Sequence, residues 1–300
     1  MSRKASALLA LCCAVAGVAL SACDEATEAE PEAPANSSAA TQDRAAFTGT
    51  QKIKVGERSV NVSCAGEPVE GRPLIVLLHG GGDDVTKLAG LQNTLAAQGQ
   101  VCSYDRLGAG ASDQPDGPQS FETTGKILTG VLDRIAGGKP VVLAGHSLGG
   151  LIAGRYSPDH QDRVKGLVLM DATSPTQEAD LRQRIPDSAT GMAAELRQQT
   201  LAVFAGQGPE KLVVTDGEVR SAGNIPVEVI QHGKPYLTAV PEYGEGLERA
   251  WSEGQRKWLA LSGRSNLSTA ANSEHYIYVD QPDVAVRAIQ RVADEAAKSK

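Results

Sequence analysis

The chain has 300 residues, 41% of them hydrophobic and 22% charged, and its formal net charge at pH 7 is −7. This size and composition are typical of one large globular domain with a sizeable buried core. The acidic charge, together with the lack of a run of basic residues in the sequence, argues against nucleic acid and anionic lipid headgroups as partners.

Residues 1–22 are predicted to form a lipoprotein signal peptide. Arg3 and Lys4 precede an apolar stretch at 7–20 that is short for a membrane-spanning helix. The stretch ends at positions 20–23 in the sequence LSAC, which resembles the lipobox of bacterial lipoproteins. This resemblance implies that Cys23 becomes the first mature residue and carries the lipid. An ordinary secretory peptide cleaved nearby is the alternative.

Either kind of signal predicts an exported protein. The lipobox implies a protein anchored to the bacterial cell membrane through Cys23 and facing away from the cytoplasm. Residues 23–46 are rich in Ala, Glu, Pro, Ser and Thr and contain no aromatic side chain. Such a segment cannot bury enough apolar surface to offset its ordering entropy, so it is predicted to be a flexible tether.

Residues 47–300 are predicted to form the folded domain, in which strands and helices alternate. The run LIVLL at 74–78 is apolar on both faces, which is typical of a strand inside a parallel sheet. The alternation of strands and helices predicts a doubly wound, mostly parallel sheet. Strands are expected at 51–55, 59–63, 74–78, 101–104, 141–144 and 166–170, and helices at 85–98, 121–135 and 148–156.

The alternation stops at residues 172–224, which are predicted to form a small helical cap inserted over the sheet. A strand at 227–230, a helix at 247–261 and a short strand near Leu267 then resume the domain. Pro282 opens the last helix. Met192, Leu196 and Phe204 are candidates for the pocket lining that the cap contributes.

The sequence Gly145-His146-Ser147-Leu148-Gly149 joins a strand to a helix with almost no loop. A turn this abrupt strains the serine backbone and is tolerated only where the residues two before and two after it lack a Cβ. The pattern therefore predicts a nucleophile elbow, in which Ser147 is exposed at the strand tip and the helix N-terminus points at it. A glycine-rich turn with an incidental serine is the alternative.

With this elbow, the chain from Phe47 to its C-terminal helix resembles the α/β-hydrolase superfamily. The resemblance implies the α/β-hydrolase fold, with an eight-stranded, mostly parallel sheet and a small helical cap at 172–224. It also implies a triad in the chain order nucleophile, acid, histidine, with Ser147 as the nucleophile. Neither a metal ion nor another cofactor is expected.

Five histidines are available as the base that a serine nucleophile needs. His79 is expected to shape the loop after a strand, His146 to point away from Ser147, and His160 to lie at the far end of the elbow helix. His275 lies between the last strand and the last helix, in a stretch that closely resembles the family's histidine loop. It is the predicted base, and His232 is the alternative.

The acid of the triad is predicted to be Asp171. It directly follows the strand at 166–170, at the carboxyl edge where ligands of such sheets bind. Members of the family also place the acid after the next strand, so Glu242 and Glu245 are alternatives. The alternative role for Asp171 is structural: its side chain would form the N-cap of the first helix in the inserted segment.

Two fixed amides are needed to bind the oxyanion that forms when a serine attacks a carbonyl. The backbone N–H of Leu148 is one predicted donor, because it lies at the positive end of the elbow helix. Gly81, in a loop that resembles the family's donor loop, is the other, with Gly80 and Gly82 as neighbouring candidates.

Two further loops carry charged residues. Asp105 and Arg106 resemble a family feature that braces the loop under the active site, so they are expected to be structural. Asp83 and Asp84 lack the histidines or additional acids that a metal site would need at ligand spacing.

Cys64 and Cys102 are the cysteines that remain in the predicted domain. If the family's strand order holds, the second and fourth strands are neighbours, which would bring the two residues together. A disulfide is expected because an exported protein meets oxidising conditions. Two independent buried thiols are the alternative.

The leading functional hypothesis is a monomeric serine hydrolase that cleaves a small ester, thioester or similar acyl compound through an acyl-enzyme. A haloperoxidase-like or lyase-like activity is an alternative within the same fold. A non-catalytic envelope lipoprotein that binds a ligand on this fold is an alternative from a different class.

Overall fold

Eight strands form one sheet in residues 47–298, the part of the chain that the structure, a computed structural model, describes. Their order across the sheet is β1-β2-β4-β3-β5-β6-β7-β8, with β2 antiparallel to β1 and β4 and all other neighbours parallel. The predicted eight-stranded, mostly parallel sheet is confirmed. The strands are β1 (Gly49–Val55), β2 (Arg58–Ala65), β3 (Leu74–Leu78), β4 (Val101–Tyr104), β5 (Val141–His146), β6 (Val164–Met170), β7 (Val227–His232) and β8 (Ser265–Ala270).

Helices cover both faces of this sheet. They are α1 (Val85–Leu95), α2 (Phe121–Ile135), α3 (Leu148–Tyr156), α4 (Gln177–Arg184), α5 (Gly191–Phe204), α6 (Gly244–Lys257), α7 (Ile277–Asp280) and α8 (Pro282–Lys298). Buried side chains of α2 and α3 belong to the hydrophobic cluster on one face, and those of α1 and α8 to the cluster on the other. Among the helices of residues 47–298, none combines the length and apolar character needed to cross a bilayer.

Three N-terminal predictions concern residues outside the described range. The signal peptide at 1–22, the lipid attachment residue Cys23 and the tether at 23–46 all precede residue 47. They remain predictions from the sequence.

The central strand β3 shows why an uninterrupted apolar run belongs inside the sheet. All five of its side chains are buried. Leu74, Val76 and Leu78 join the cluster on one face, whereas Ile75 and Leu77 join the cluster on the other. Successive strand residues point to opposite faces, so a strand covered by helices on both sides must be apolar at every position.

Element boundaries follow local signals where these are strong. Helix α2 spans the predicted residues, and its start is fixed by a capping box in which Ser120 accepts from Thr123 N–H. The predicted helix at 85–98 ends as a 3₁₀ turn at Ala96–Gln98, and the one predicted at 247–261 begins earlier, at Gly244. Strand β7 runs two residues further than predicted, to His232.

The segment between β6 and β7 contains α4 and α5 and connects them through irregular chain. Leu181 of α4, Ile185 directly after it and Leu196 of α5 pack with Leu247 and Trp251 of α6 in a small hydrophobic cluster. This cluster attaches the predicted cap segment to the helix that follows β7.

A disulfide joins Cys64 on β2 to Cys102 on β4, with the two Cα atoms 4.0 Å apart. The two residues are direct partners in the antiparallel register of these strands. The pairing expected from the family's strand order is therefore present, and it ties the two-stranded edge of the sheet to its parallel part.

Basic side chains that are scattered in the sequence come together at the amino edge of the sheet. They line a groove of about 1360 Å³ in which Glu70 is the acidic lining residue. This grouping could not be predicted from the sequence, because most of its members come from separate elements. The overall negative charge therefore does not describe this edge, whose cations are Lys52, Lys54, Arg72, Arg134, Lys139 and Lys165.

Removal of the disulfide is expected to destabilise the domain. The bond closes a loop of 38 residues, and a cross-link of that length typically contributes about 2–4 kcal/mol by restricting the unfolded chain. The double variant Cys64→Ala/Cys102→Ala should unfold at lower urea concentration than the oxidised protein and should match the reduced wild type. Equal stability of all three, or two free thiols in the unreduced wild-type mass, would contradict the bond.

Candidate active site

Ser147 lies at the tip of β5, where the chain turns directly into α3. Its backbone angles are φ 50° and ψ −120°, in a region that residues other than glycine rarely adopt. Its N–H donates to the carbonyl of Met170 at 3.1 Å, and its own carbonyl accepts from Thr173 N–H at 3.1 Å. Bonds to the end of β6 and the chain beyond it thus hold the strained turn in place.

The flanking glycines are required by contact with backbone atoms. A Cβ on Gly145 would lie 2.4 Å from the carbonyl oxygen of Gly149, and a Cβ on Gly149 would lie 2.3 Å from the carbonyl oxygen of Leu78. Neither backbone can move without disturbing the sheet. The glycine spacing therefore has the steric cause that the sequence pattern predicts.

Asp171 follows β6 directly and is completely buried. His275, in the loop after β8, places its Nδ1 2.7 Å from Oδ2 of Asp171. Because a carboxylate only accepts hydrogen bonds, Nδ1 carries the proton and Nε2 of a neutral ring carries the lone pair. The two residues that the sequence proposed as acid and base are thus brought together in the tautomer that a general base needs.

Three further donors converge on the same carboxylate. Nε1 of Trp251 lies 2.9 Å from Oδ1. The backbone N–H of His232 donates to Oδ1 at 3.1 Å, and Nδ1 of its ring lies 2.9 Å from Oδ1 and 3.0 Å from Oδ2. All the acceptor capacity of Asp171 is therefore used.

These contacts determine the ionisation of Asp171. Burial alone would raise its pKa, but the hydrogen bonds from His232 and His275 outweigh burial and hold the pKa well below its ordinary value. Asp171 is therefore an anion throughout the neutral range.

Ser147 and His275 both line one cavity of about 580 Å³ at the carboxyl edge of the sheet. No hydrogen bond joins the Ser147 hydroxyl to His275 within the described chain. Phe204 lines the cavity, as predicted. The predictions for Met192 and Leu196 were wrong: Met192 is 48% exposed, and Leu196 is buried in the cluster between the cap segment and α6.

The two predicted oxyanion donors are adjacent on the cavity wall. A Cβ built on Gly81 would lie 3.5 Å from Cδ2 of Leu148, and both residues line the cavity. Leu148 is the first residue of α3, so its N–H has no acceptor inside the helix. Both predicted donors therefore line the same cavity as Ser147.

Arg106 braces the loop that carries Gly81. Its guanidinium donates to the carbonyl oxygens of His79 at 2.7 Å and Gly80 at 2.8 Å, and it pairs with Glu210 at 2.6 Å. Since Glu210 belongs to the cap segment, one buried cation ties that segment to the loop.

His79 itself is buried, with Nδ1 donating to Gly80 O at 2.7 Å. Burial lowers the pKa of His79 well below its ordinary value, so the ring is neutral and structural. Asp105 accepts from the N–H of Val85 at 2.8 Å and of Ala111 at 2.9 Å. Both residues have the loop-shaping contacts that the sequence analysis expected.

The remaining candidates lie away from this chemistry. His160 stacks on Tyr156 at 3.8 Å between ring centroids, and His146 donates from Nε2 to the carbonyl oxygen of His275 at 3.0 Å. Glu242 and Glu245, the alternative acids, are exposed. The structure therefore brings Asp171, and neither glutamate, to His275.

Three residues around Asp171 and His275 were not assigned these contacts from the sequence. His232 was considered only as an alternative base, and neither Trp251 nor Glu248 was connected with the site. The available signal was the position of His232 at the end of β7, where members of the family also place an acid. Within residues 47–298 there is no cluster of three or more His, Cys, Asp or Glu side chains arranged to hold a metal ion.

Comparison with known proteins supports the assignment of the fold. The family described as alpha/beta hydrolase fold matches residues 73–247. A probable hydrolytic enzyme from Pseudomonas aeruginosa superposes with a TM-score of 0.59 at 17% identity, covering 83% of this chain and 95% of that one. An esterase from Thermogutta terrifontis gives a TM-score of 0.58 at 18% identity, covering 82% and 99%. At these identities the two structures support only the assignment of the fold.

A curated relative shares more sequence over a shorter stretch. The (lyso)-N-acylphosphatidylethanolamine lipase of Bos taurus is 34% identical over 145 residues, which are 46% of this chain and 42% of the lipase. The chain thus spans less than half the length of that relative.

Substitution at the elbow is expected to show the steric constraint directly. Gly149→Ala should lower the free energy of unfolding by about 1–3 kcal/mol, because its Cβ meets the backbone of β3. Gly90→Ala is the matched control: nothing lies within 4 Å of its Cβ, and alanine is the better helix former by about 1 kcal/mol. Urea unfolding measures both, and equal stability of the two variants would contradict the geometry.

Proposed function

Because this chain belongs to the α/β-hydrolase fold family, we propose that it is a serine hydrolase acting on an ester, thioester or similar acyl compound. Ser147 is the nucleophile, His275 the general base and Asp171 the acid. The observation that carries the proposal is the 2.7 Å hydrogen bond from His275 to a buried, ionised Asp171, with Ser147 on the wall of the same cavity.

The proposed reaction begins with attack of the Ser147 hydroxyl oxygen on the substrate carbonyl carbon. Nε2 of His275 accepts the hydroxyl proton and then gives it to the leaving group as the carbon–leaving-group bond breaks. Asp171 stabilises the imidazolium that exists between these two transfers. Water then attacks the acyl-enzyme, with His275 again accepting and returning a proton, and the free acid leaves.

In the same proposal the negative charge on the carbonyl oxygen is held by the amides of Gly81 and Leu148. Such donors stabilise a charge that develops only during the reaction, and loss of one typically costs two to three orders of magnitude in rate. The contact between Ser147 and His275 must tighten in the substrate complex, which is common because catalytic hydrogen bonds are often long in the free enzyme.

The cavity wall favours an apolar acyl group. Its apolar lining residues include four of the cap segment and one of the elbow helix: Val203, Phe204, Leu212, Val214 and Leu148. Its volume of about 580 Å³ is within the usual range for small-molecule sites. The lipase name of the curated relative agrees with an acyl substrate that carries a hydrocarbon chain.

Export and attachment to the membrane through Cys23 belong to this proposal and rest on the sequence of residues 1–23. The substrate would then be met outside the cytoplasm, near the membrane surface. A non-catalytic envelope lipoprotein that uses the same cavity for binding is the competing function, and reactivity of Ser147 separates the two.

Labelling with a fluorophosphonate probe tests the proposal. The wild type should be labelled covalently, because an activated serine attacks the phosphorus and expels fluoride. Ser147→Ala should not be labelled, whereas Ser188→Ala, which removes an exposed hydroxyl in the cap segment, should react like the wild type. Failure of the folded wild type to react would support the binding protein instead.

Asp171→Asn should lower kcat for an activated ester by about three to four orders of magnitude, because the amide cannot hold His275 in the required tautomer. Glu242→Gln and Glu245→Gln, at the exposed alternative positions, serve as controls and should retain near-normal kcat. Near-normal turnover of Asp171→Asn would eliminate Asp171 as the acid.

A further inference from the structure

His232 lies between two carboxylates. Its Nδ1 is 2.9 Å from Oδ1 of Asp171, and its Nε2 is 2.8 Å from Oε2 of Glu248 on α6. The other oxygen of Glu248 accepts from the backbone N–H of Leu237 at 2.6 Å. The side chains of His232 and Glu248 are only 7% and 15% exposed, so this arrangement is shielded from water.

Hydrogen bonding at both ring nitrogens determines the charge of His232. Ionised carboxylates only accept hydrogen bonds, so a ring that bonds to one at each nitrogen must carry a proton on both. We propose that His232 is a permanent imidazolium which, with Glu248, forms a positioning ion pair behind Asp171. This inference rests on the proposed function, because it assigns the pair to tuning the acid and base of that reaction.

The groups that face His232 support the charged form. Asp171 and Glu248 are the facing anions, and the rings of Tyr236 and Trp251 pack at centroid distances of 4.9 and 6.4 Å. His275, on the far side of Asp171, is the other titratable ring that contacts the same carboxylate. Two anions around one imidazolium leave one net negative charge in this group.

The titration of His232 is consistent with this geometry. Burial by itself lowers the pKa of His232, but the hydrogen bonds with Asp171 and Glu248 outweigh it and raise the pKa to about 10. The ring therefore stays protonated across the range in which a serine hydrolase works, and it does not compete with His275 as a base.

The pair has two consequences for the proposed reaction. First, it fixes the orientation of the Asp171 carboxylate, since Oδ2 is shared between His275 and His232. Second, a positive charge beside Asp171 offsets part of the attraction between Asp171 and a protonated His275. Loss of that positive charge would therefore strengthen the attraction between Asp171 and the imidazolium that forms on His275 during the reaction.

Imidazole ¹⁵N NMR tests the charge state without reference to activity. In the wild type one of the five rings should show two protonated nitrogens up to about pH 9, and that signal should vanish in His232→Asn. In Glu248→Gln the amide can donate to Nε2 of a neutral ring, so the same signal should report deprotonation at lower pH. A neutral His232 in the wild type at about pH 7 would overturn the proposal.

The pH dependence of kcat/KM tests the effect on catalysis. In His232→Asn the acidic limb should move to higher pH by about one unit, because a positive charge is lost beside Asp171. Glu248→Gln removes a negative charge instead, so it should not move the limb to higher pH. Glu245→Gln removes a carboxylate from the exposed side of the same helix and should leave the limb unchanged. A fall in kcat without movement of the limb in folded His232→Asn would reduce the pair to a structural role and refute the tuning.

These two readouts separate failure of this inference from failure of the proposed function. If the wild type neither turns over esters nor reacts with fluorophosphonate, the proposed function fails, yet the NMR titration still decides whether His232 is an imidazolium. If the wild type is active and His232 proves neutral, the hydrolase assignment stands and the ion pair fails. Should His232→Asn not fold, the NMR titrations of the wild type and of Glu248→Gln still decide the charge of His232.

Discussion

A single buried carboxylate, that of Asp171, determines how this site is built. Fully removed from water, it would be costly as an anion unless every lone pair were satisfied. Donors from three separate places meet this requirement: His275 in the loop after β8, His232 at the end of β7 and Trp251 on α6. Because each donor depends on the same acceptor, the loop, the strand end and the helix are held in one arrangement. Removal of this side chain would leave all three without their shared acceptor.

The sheet supplies the convergence that this carboxylate requires. Strands β5, β6, β7 and β8 are consecutive neighbours, and Ser147, Asp171, His232 and His275 lie at or beyond their carboxyl ends in that order. The carboxyl ends of parallel strands meet at one edge, which is why residues more than a hundred positions apart share one site. At this edge the turn at Ser147 is strained but is fixed by hydrogen bonds to the end of β6 and the chain beyond it. The convergence of these four residues is thus a consequence of strand order.

The sequence was informative where the determinants are local. The elbow could be predicted because its glycines are required by contacts with atoms a few residues away and with the adjacent strand. Helix α2 could be predicted because Ser120 caps its start. The pairing of Asp171 with His275 came from the family resemblance. Glu248 and Trp251 could not be assigned, since their contacts with the site depend on how α6 packs against β7. The cavity-lining residues of the cap segment were predicted only in part, because they too depend on how helices pack. Nothing in the sequence distinguishes Leu196, buried between helices, from Phe204, which lines the cavity.

In the proposed site, Ser147, His275 and the amides of Gly81 and Leu148 surround one reacting centre. A crystal structure of the protein after reaction with an alkyl phosphonate would show whether they do. We expect a covalent bond from phosphorus to the Ser147 oxygen, with a phosphonyl oxygen about 3 Å from both amide nitrogens. Nε2 of His275 should lie within hydrogen-bonding distance of the Ser147 oxygen. A phosphonate attached elsewhere, or one on Ser147 whose oxygen points away from both amides, would contradict it.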